Sequence, residues 1–88
     1  MVNLSDEAAG LIRTLVADSY LPDSAGLRLG TDDDKHSLSM KLEAAPKAHD
    51  LVVEHQGASL FVSPLAASRI EDKTLHAQVA PRPAFFVD

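Results

Sequence analysis

Four histidines, His36, His49, His55 and His76, are the side chains most suited to hold a divalent metal or to move a proton near neutral pH. A metal site needs several imidazoles or carboxylates converging on one point, with further groups to orient them. No His-x3-His or His-Glu-x-x-His spacing occurs. The densest set of possible ligands is His36 behind the run Asp32-Asp33-Asp34. His36, Asp32 and Asp34 are therefore the candidates for a weak divalent-metal site, one that a second subunit could complete. The plain alternative is a solvated connection between strands, because exposed oxygen-rich loops bind most metals weakly unless their geometry is preset. The run also lacks the alternating ligand spacing, the Gly and the distal Glu of an EF-hand. His49, His55 and His76 read as surface residues, on outward strand faces or in a loop.

The chain has no cysteine. That removes disulfides, thiolate nucleophiles, Cys-type zinc sites and all-thiolate iron–sulfur sites. Ser37, Ser39, Ser59, Ser63 and Ser68 supply hydroxyls, but none sits in a Gly-x-Ser-x-Gly elbow. A Ser–His–Asp triad needs no proximity in the chain, yet so short a chain rarely encloses the roughly 300–1,000 Å³ pocket that small-molecule sites use. The four glycines form no phosphate-binding loop. The expectation is a protein with no catalytic residues and no bound cofactor, not an enzyme.

Composition narrows the class further. With 88 residues, one small domain spanning residues 1–88 is expected, burying about 60–65% of the surface of its unfolded chain. A hydrophobic content of 45% excludes a disordered chain. Thirteen acidic residues against eight Lys and Arg give a net charge of −5, the wrong sign for a sequence-independent nucleic-acid binder. No apolar run approaches the roughly 18 residues that span a bilayer. The opening Met1-Val2-Asn3-Leu4-Ser5-Asp6 lacks a basic region followed by an apolar block, so no secretory signal is read and the cytoplasm is the default location.

The elements that must position these side chains follow from periodicity. Residues 5–19 read as a helix. Ser5 is its N-cap, Asp6 and Glu7 sit in its first turn, and Ala8, Leu11, Ile12, Leu15 and Val16 form one buried stripe. Its polar face, with Asp6, Glu7 and Asp18 against Arg13, has the wrong charge for an anionic lipid surface. Leu27, Leu29 and Thr31 then alternate with Arg28 and Gly30. Leu38, Met40, Leu42 and Ala44 do the same with Ser37, Ser39, Lys41 and Glu43, giving the cleanest half-buried strand of the chain. Residues 51–55 and 58–62 flank Gln56-Gly57, a hairpin signal. Ser63-Pro64 starts a short helix over about residues 64–69. Leu75, Ala77 and Val79 alternate again. Two prolines bar residues 80–83 from a central strand, and residues 84–87 form a short terminal strand. Phe61, Phe85 and Phe86 read as either core or a self-association patch: Phe85 and Phe86 fall on opposite faces of their strand, so one can be exposed at a dimer surface, with burial under the helix the equal alternative. The sum is a β-rich α+β chain: a small β-sandwich or open barrel of five or six strands, with one N-terminal amphipathic helix and a short second helix.

The order of these segments resembles the HesB-like family, the A-type carriers of iron–sulfur cluster assembly. Leu4-Ser5-Asp6-Glu7-Ala8-Ala9 resembles the start of that family's first helix. Gly26-Leu27-Arg28-Leu29-Gly30 and Leu38-Ser39-Met40-Lys41-Leu42-Glu43 resemble its first two strands. Residues 50–57 followed by Leu60-Phe61-Val62-Ser63-Pro64 resemble its hairpin and short helix, and Phe85-Phe86-Val87 its aromatic strand. The resemblance implies three cysteine ligands for a cluster or iron: one in a Cys-Ser-Gly segment between the first two strands and two in a Cys-Gly-Cys tail. The first position aligns here with Lys35 or His36. The tail has no counterpart, because the sequence ends at Asp88 after the aromatic strand. The resemblance is therefore to short, cysteine-free members. What it implies is a non-enzymatic accessory or protein-interaction role around iron–sulfur assembly, with a protein partner or self-association, and with no cluster, nucleic acid or membrane bound. The alternative is weak divalent-metal binding through His36 and the Asp32–Asp34 loop.

Overall fold

The computed structural model describes residues 1–32 and 37–88. Its first helix forms where the sequence supplies a cap and a stripe. The Ser5 hydroxyl accepts a hydrogen bond from the Ala8 N–H at 3.1 Å, and α1 (Asp6–Ala17) follows. Ala8, Ala9, Ile12 and Val16 of α1 enter the core. The helix ends two residues before the expected Ser19. There the Ser19 hydroxyl donates to the Val16 carbonyl at 2.7 Å and accepts from the Leu21 N–H at 3.1 Å, so a local side-chain turn closes the helix before Pro22 is reached.

Seven strands and a second helix complete the chain: β1 (Asn3–Leu4), β2 (Gly26–Thr31), β3 (Leu38–Glu43), β4 (Leu51–His55), β5 (Ala58–Val62), α2 (Pro64–Arg69), β6 (Thr74–Gln78) and β7 (Ala84–Val87). One sheet has the order β3-β2-β5-β4 and the other β1-β6-β7. The pairings β2–β5 and β1–β6 are parallel and the other three antiparallel. No ladder joins the two sheets among the described residues, so the barrel stays open. Helix α1 packs against β6 of one sheet and against β5 and β2 of the other. Leu27, Leu29, Leu60, Val62 and Leu75 meet the helix stripe there.

The hairpin signal forms as expected. Gln56 and Gly57 turn between β4 and β5 with φ of 50° and 79°, the left-handed pair that a two-residue hairpin of the right twist requires. Helix α2 begins with Ser63 accepting from the Ala66 N–H at 3.2 Å and Pro64 in the first turn. Gly26 admits β5 at close range: a Cβ there would lie 2.4 Å from the Ser59 carbonyl oxygen.

Three readings of the sequence need correction. β1 was not expected, because two residues show no period. It is held by long-range bonds, from the Asn3 N–H to the Lys73 carbonyl at 2.9 Å and from the Ser5 N–H to the Leu75 carbonyl at 3.0 Å. β3 alternates in sequence but is not cleanly half-buried. Its inward residues Leu38 and Leu42 are half-covered and Met40 is exposed, because β3 lies at the sheet edge. His55 is not on an outward face. It shares the face of Leu51 and Val53, opposite buried Ala58. Phe86 is 47% exposed and Phe85 packs on the core, so alternation sorts the two aromatics as expected.

Candidate functional site

The resemblance locates ligand chemistry on the connection between β2 and β3. His36 and Asp34, with Asp33 and Lys35, lie outside the described residues. Asp32 is exposed, and its N–H donates to the Ser37 carbonyl at 2.9 Å across the base of the connection. Beside this base, Arg28, Gly30, Thr31, Ser63, Pro64 and Leu65 line an open depression of about 370 Å³. The Ser63 N–H donates to the Leu29 carbonyl at 2.9 Å, which ties the start of α2 to β2 beside the depression.

The strongest electrostatic feature is one that the sequence did not single out. Arg28 projects from the outer face of β2, in register with Lys41 of β3 and Phe61 of β5. Its Nε and Nη2 donate to the two carboxylate oxygens of Asp50 at 2.9 and 3.0 Å. This is the two-point geometry that favours Arg over Lys. The oxygen that accepts from Nε, Oδ2, also accepts from the Lys47 N–H at 2.9 Å. The Asp50 side chain is fully covered and that of Arg28 nearly so. The bond from Arg28 holds the Asp50 carboxyl below the usual carboxylate range against the opposing effect of burial, and the Lys47 N–H helps. The same bond raises the Arg28 guanidinium. Phe61, at 2% exposure, is buried on this outer face and stands apart from the main core cluster. A lone Arg flanked by Leu27 and Leu29 was the available signal for such a pair, but nothing local names a partner 22 residues away.

Within this pair both charged groups are engaged with each other. The carboxylate and guanidinium neutralise each other, and the nearby Ser63 hydroxyl is occupied in capping α2. His49 is exposed in the loop before β4. His55 Nε2 lies 2.7 Å from Asp6 Oδ1, fastening the end of β4 to the start of α1. His76 stacks on Phe86 with ring centres 5.3 Å apart, and its Nε2 is 3.8 Å from Asp88. Each has at most one carboxylate beside it, and no three His, Asp or Glu side chains converge among the described residues. A thiolate-held cluster does not fit this chain, which has no cysteine at any position. No helix among the described residues is long and apolar enough to cross a membrane.

No family model matches the sequence, and no curated protein matches it. Solved structures do. SufA of Escherichia coli, described as involved in the biosynthesis of iron–sulfur clusters, superposes with a TM-score of 0.82 at 30% identity. The match covers 99% of this chain and 83% of SufA. IscA, solved with a [2Fe-2S] cluster, superposes with a TM-score of 0.78 at 22% identity, over 100% of this chain and 84% of IscA. The second likeness is one of fold. The first joins fold to sequence over most of both chains, and on it the chain belongs to the HesB-like family of A-type iron–sulfur cluster assembly proteins.

Proposed function

We propose that the chain acts as a single cytoplasmic, non-enzymatic HesB-like domain that takes part in iron–sulfur cluster assembly through protein contacts and carries no cluster itself. One observation carries this reading: a fold shared over 99% of the chain with a protein of iron–sulfur biosynthesis, in a sequence with no cysteine. Iron and sulfide clusters are held chiefly by thiolates. A member without them keeps surfaces that partners of the family could recognise and has lost the grip on the cargo.

The test is anaerobic reconstitution. The purified chain is incubated with ferrous iron, sulfide and a thiol reductant, desalted, and assayed for bound iron and sulfide and for visible absorption, with IscA, solved with a [2Fe-2S] cluster, as the positive control. The expected result is a colourless protein with far less than one iron per chain. Stoichiometric iron and sulfide would refute the reading. A parallel incubation with Zn²⁺ addresses the loop. Stoichiometric zinc that is lost in His36→Ala would establish metal binding there in place of the ligand-free role.

A further inference from the structure

We propose that the groove between α1 and the β6–β7 connection receives a basic amphipathic helix of a partner protein. This rests on the interaction role proposed above and names the chemistry of the partner.

The apolar stripe of α1 divides in two. Ala8, Ala9, Ile12 and Val16 join the main core cluster, whereas Leu11 and Leu15 stand outside it. Leu11 and Leu15 lie one turn apart and, with Val79 and Pro83 from the connection after β6, line an open groove of about 520 Å³. Val79 is 67% exposed and Leu15 is only half-covered. Apolar side chains at this spacing are what a second helix docks on, its own side chains entering between them.

The groove carries acid at both ends of the leucine pair. Glu7 and Asp18 also line it, so α1 presents Glu7, Leu11, Leu15 and Asp18 at i, i+4, i+8 and i+11. Eleven residues of helix set the two acidic positions about 16 Å apart along the axis. Both are exposed, and neither is in an ion pair among the described residues. Asp18 caps the C-terminal end of α1, where the helix dipole disfavours an anion, and the last turn holds no basic residue. That placement is unfavourable for α1 alone and is relieved by a cation from outside. Arg13, which borders the groove, donates to the Gln56 carbonyl in the turn between β4 and β5. Arg82, between Pro81 and Pro83, is not among the lining residues.

These charges choose the occupant. A helix with leucine-like side chains one turn apart and a Lys or Arg beyond each of them meets the apolar floor and both carboxylates. A second copy of α1 does not, because it brings Glu7 and Asp18 of its own to an acidic rim. An anionic lipid surface or a nucleic acid meets the same repulsion.

The test uses a fluorescein-labelled helical peptide of alanine and glutamine that carries two leucines one turn apart and a lysine on either side of them. Fluorescence anisotropy is followed as the full chain is added. One comparison peptide has glutamates for the lysines, and another has the same residues scrambled. The lysine peptide should bind at least about tenfold tighter than either. Asp18→Lys should weaken it at least about fivefold, and lysine suits a helix C-terminus, so α1 is kept. Leu15→Ser should weaken it similarly, with circular dichroism melts to establish that each variant is folded. Glu54→Lys, the same change of charge at an exposed position of β4, should alter binding less than about twofold. No binding of the lysine peptide up to about 1 mM overturns the proposal. So does equal binding of the scrambled peptide, or equal weakening by Asp18→Lys and Glu54→Lys, which would make net charge the cause. If the free chain sediments as a dimer that Leu15→Ser dissociates, a second copy occupies the groove and the proposal falls. Peptide binding and cluster reconstitution are separate measurements, so either reading can fail without the other.

Discussion

Replacing Asp50 by Asn removes one charge from a covered ion pair while nearly preserving shape. The carboxylate accepts from Arg28 Nε at 2.9 Å, Arg28 Nη2 at 3.0 Å and the Lys47 N–H at 2.9 Å. An amide has one acceptor oxygen, and its NH2 group would face donors. Removing one partner of a buried pair costs about 3–5 kcal/mol, chiefly by stranding the other charge. Arg28 keeps 15% side-chain exposure and regains some water, so the loss expected here is smaller, about 2–3 kcal/mol. For a chain of this length each kcal/mol shifts Tm by about 4–8 °C, so the melt should fall by roughly 8–24 °C. The pH dependence gives a second readout. The folded-state pKa of Asp50 is lowered, so its stabilisation is fully present above the ordinary value of 3.8 and is lost as pH falls through the lowered one. The gap between wild type and Asp50→Asn should therefore be constant from about pH 5 to 8 and close below about pH 4. Replacing Arg28 by Met in the Asp50→Asn background should recover part of the loss, because no charge is then stranded. A shift of Tm below about 2 °C, the range of neutral surface changes, would refute the argument, as would a gap that persists into strong acid.

Two further substitutions test how the elements are placed. Gly26→Ala puts a Cβ 2.4 Å from the Ser59 carbonyl oxygen and 2.9 Å from its carbon, both backbone atoms of the neighbouring central strand. The strands must separate, and a loss of about 2–3 kcal/mol is expected in urea unfolding. A neutral result would mean that β2 and β5 are less closely apposed. Ser63→Ala removes the acceptor for the Ala66 N–H and should cost about 1 kcal/mol, with Ser63→Asp restoring most of it. Equal stability of Ser63→Ala and wild type would show that water replaces the cap.

Local chemistry made much of this fold legible. Ser5 and Ser63-Pro64 announce helix starts within a residue, and Gln56-Gly57 announces a hairpin, because caps and turns are settled by groups three or four residues apart. What local chemistry could not carry was pairing across the chain. β1 exists only because residues some seventy positions later supply its partner. Arg28 and Asp50 each read as unremarkable polar residues until the sheet and the loop after β3 bring them together. The clean alternation of β3 misled for a related reason. Period reports which side chains share a face, and only the neighbours decide whether that face is covered.

The same distinction bears on how a member of this family can do without its cysteines. The core is an apolar cluster drawn from β1, α1, β2, β5, α2 and β6, and the covered Arg28–Asp50 pair is not part of it. The ligand position implied by the family resemblance lies between β2 and β3 in sequence, at residues outside the described ones. Nothing in that core needs a metal to complete it, unlike a zinc finger, whose folding free energy comes from its ligands. The absence of cysteine therefore leaves packing, the Arg28–Asp50 pair and both helix caps in place. On this reasoning an engineered cysteine at His36 should leave the melting temperature nearly unchanged. A large loss of stability in His36→Cys would show that the connection contributes to the fold.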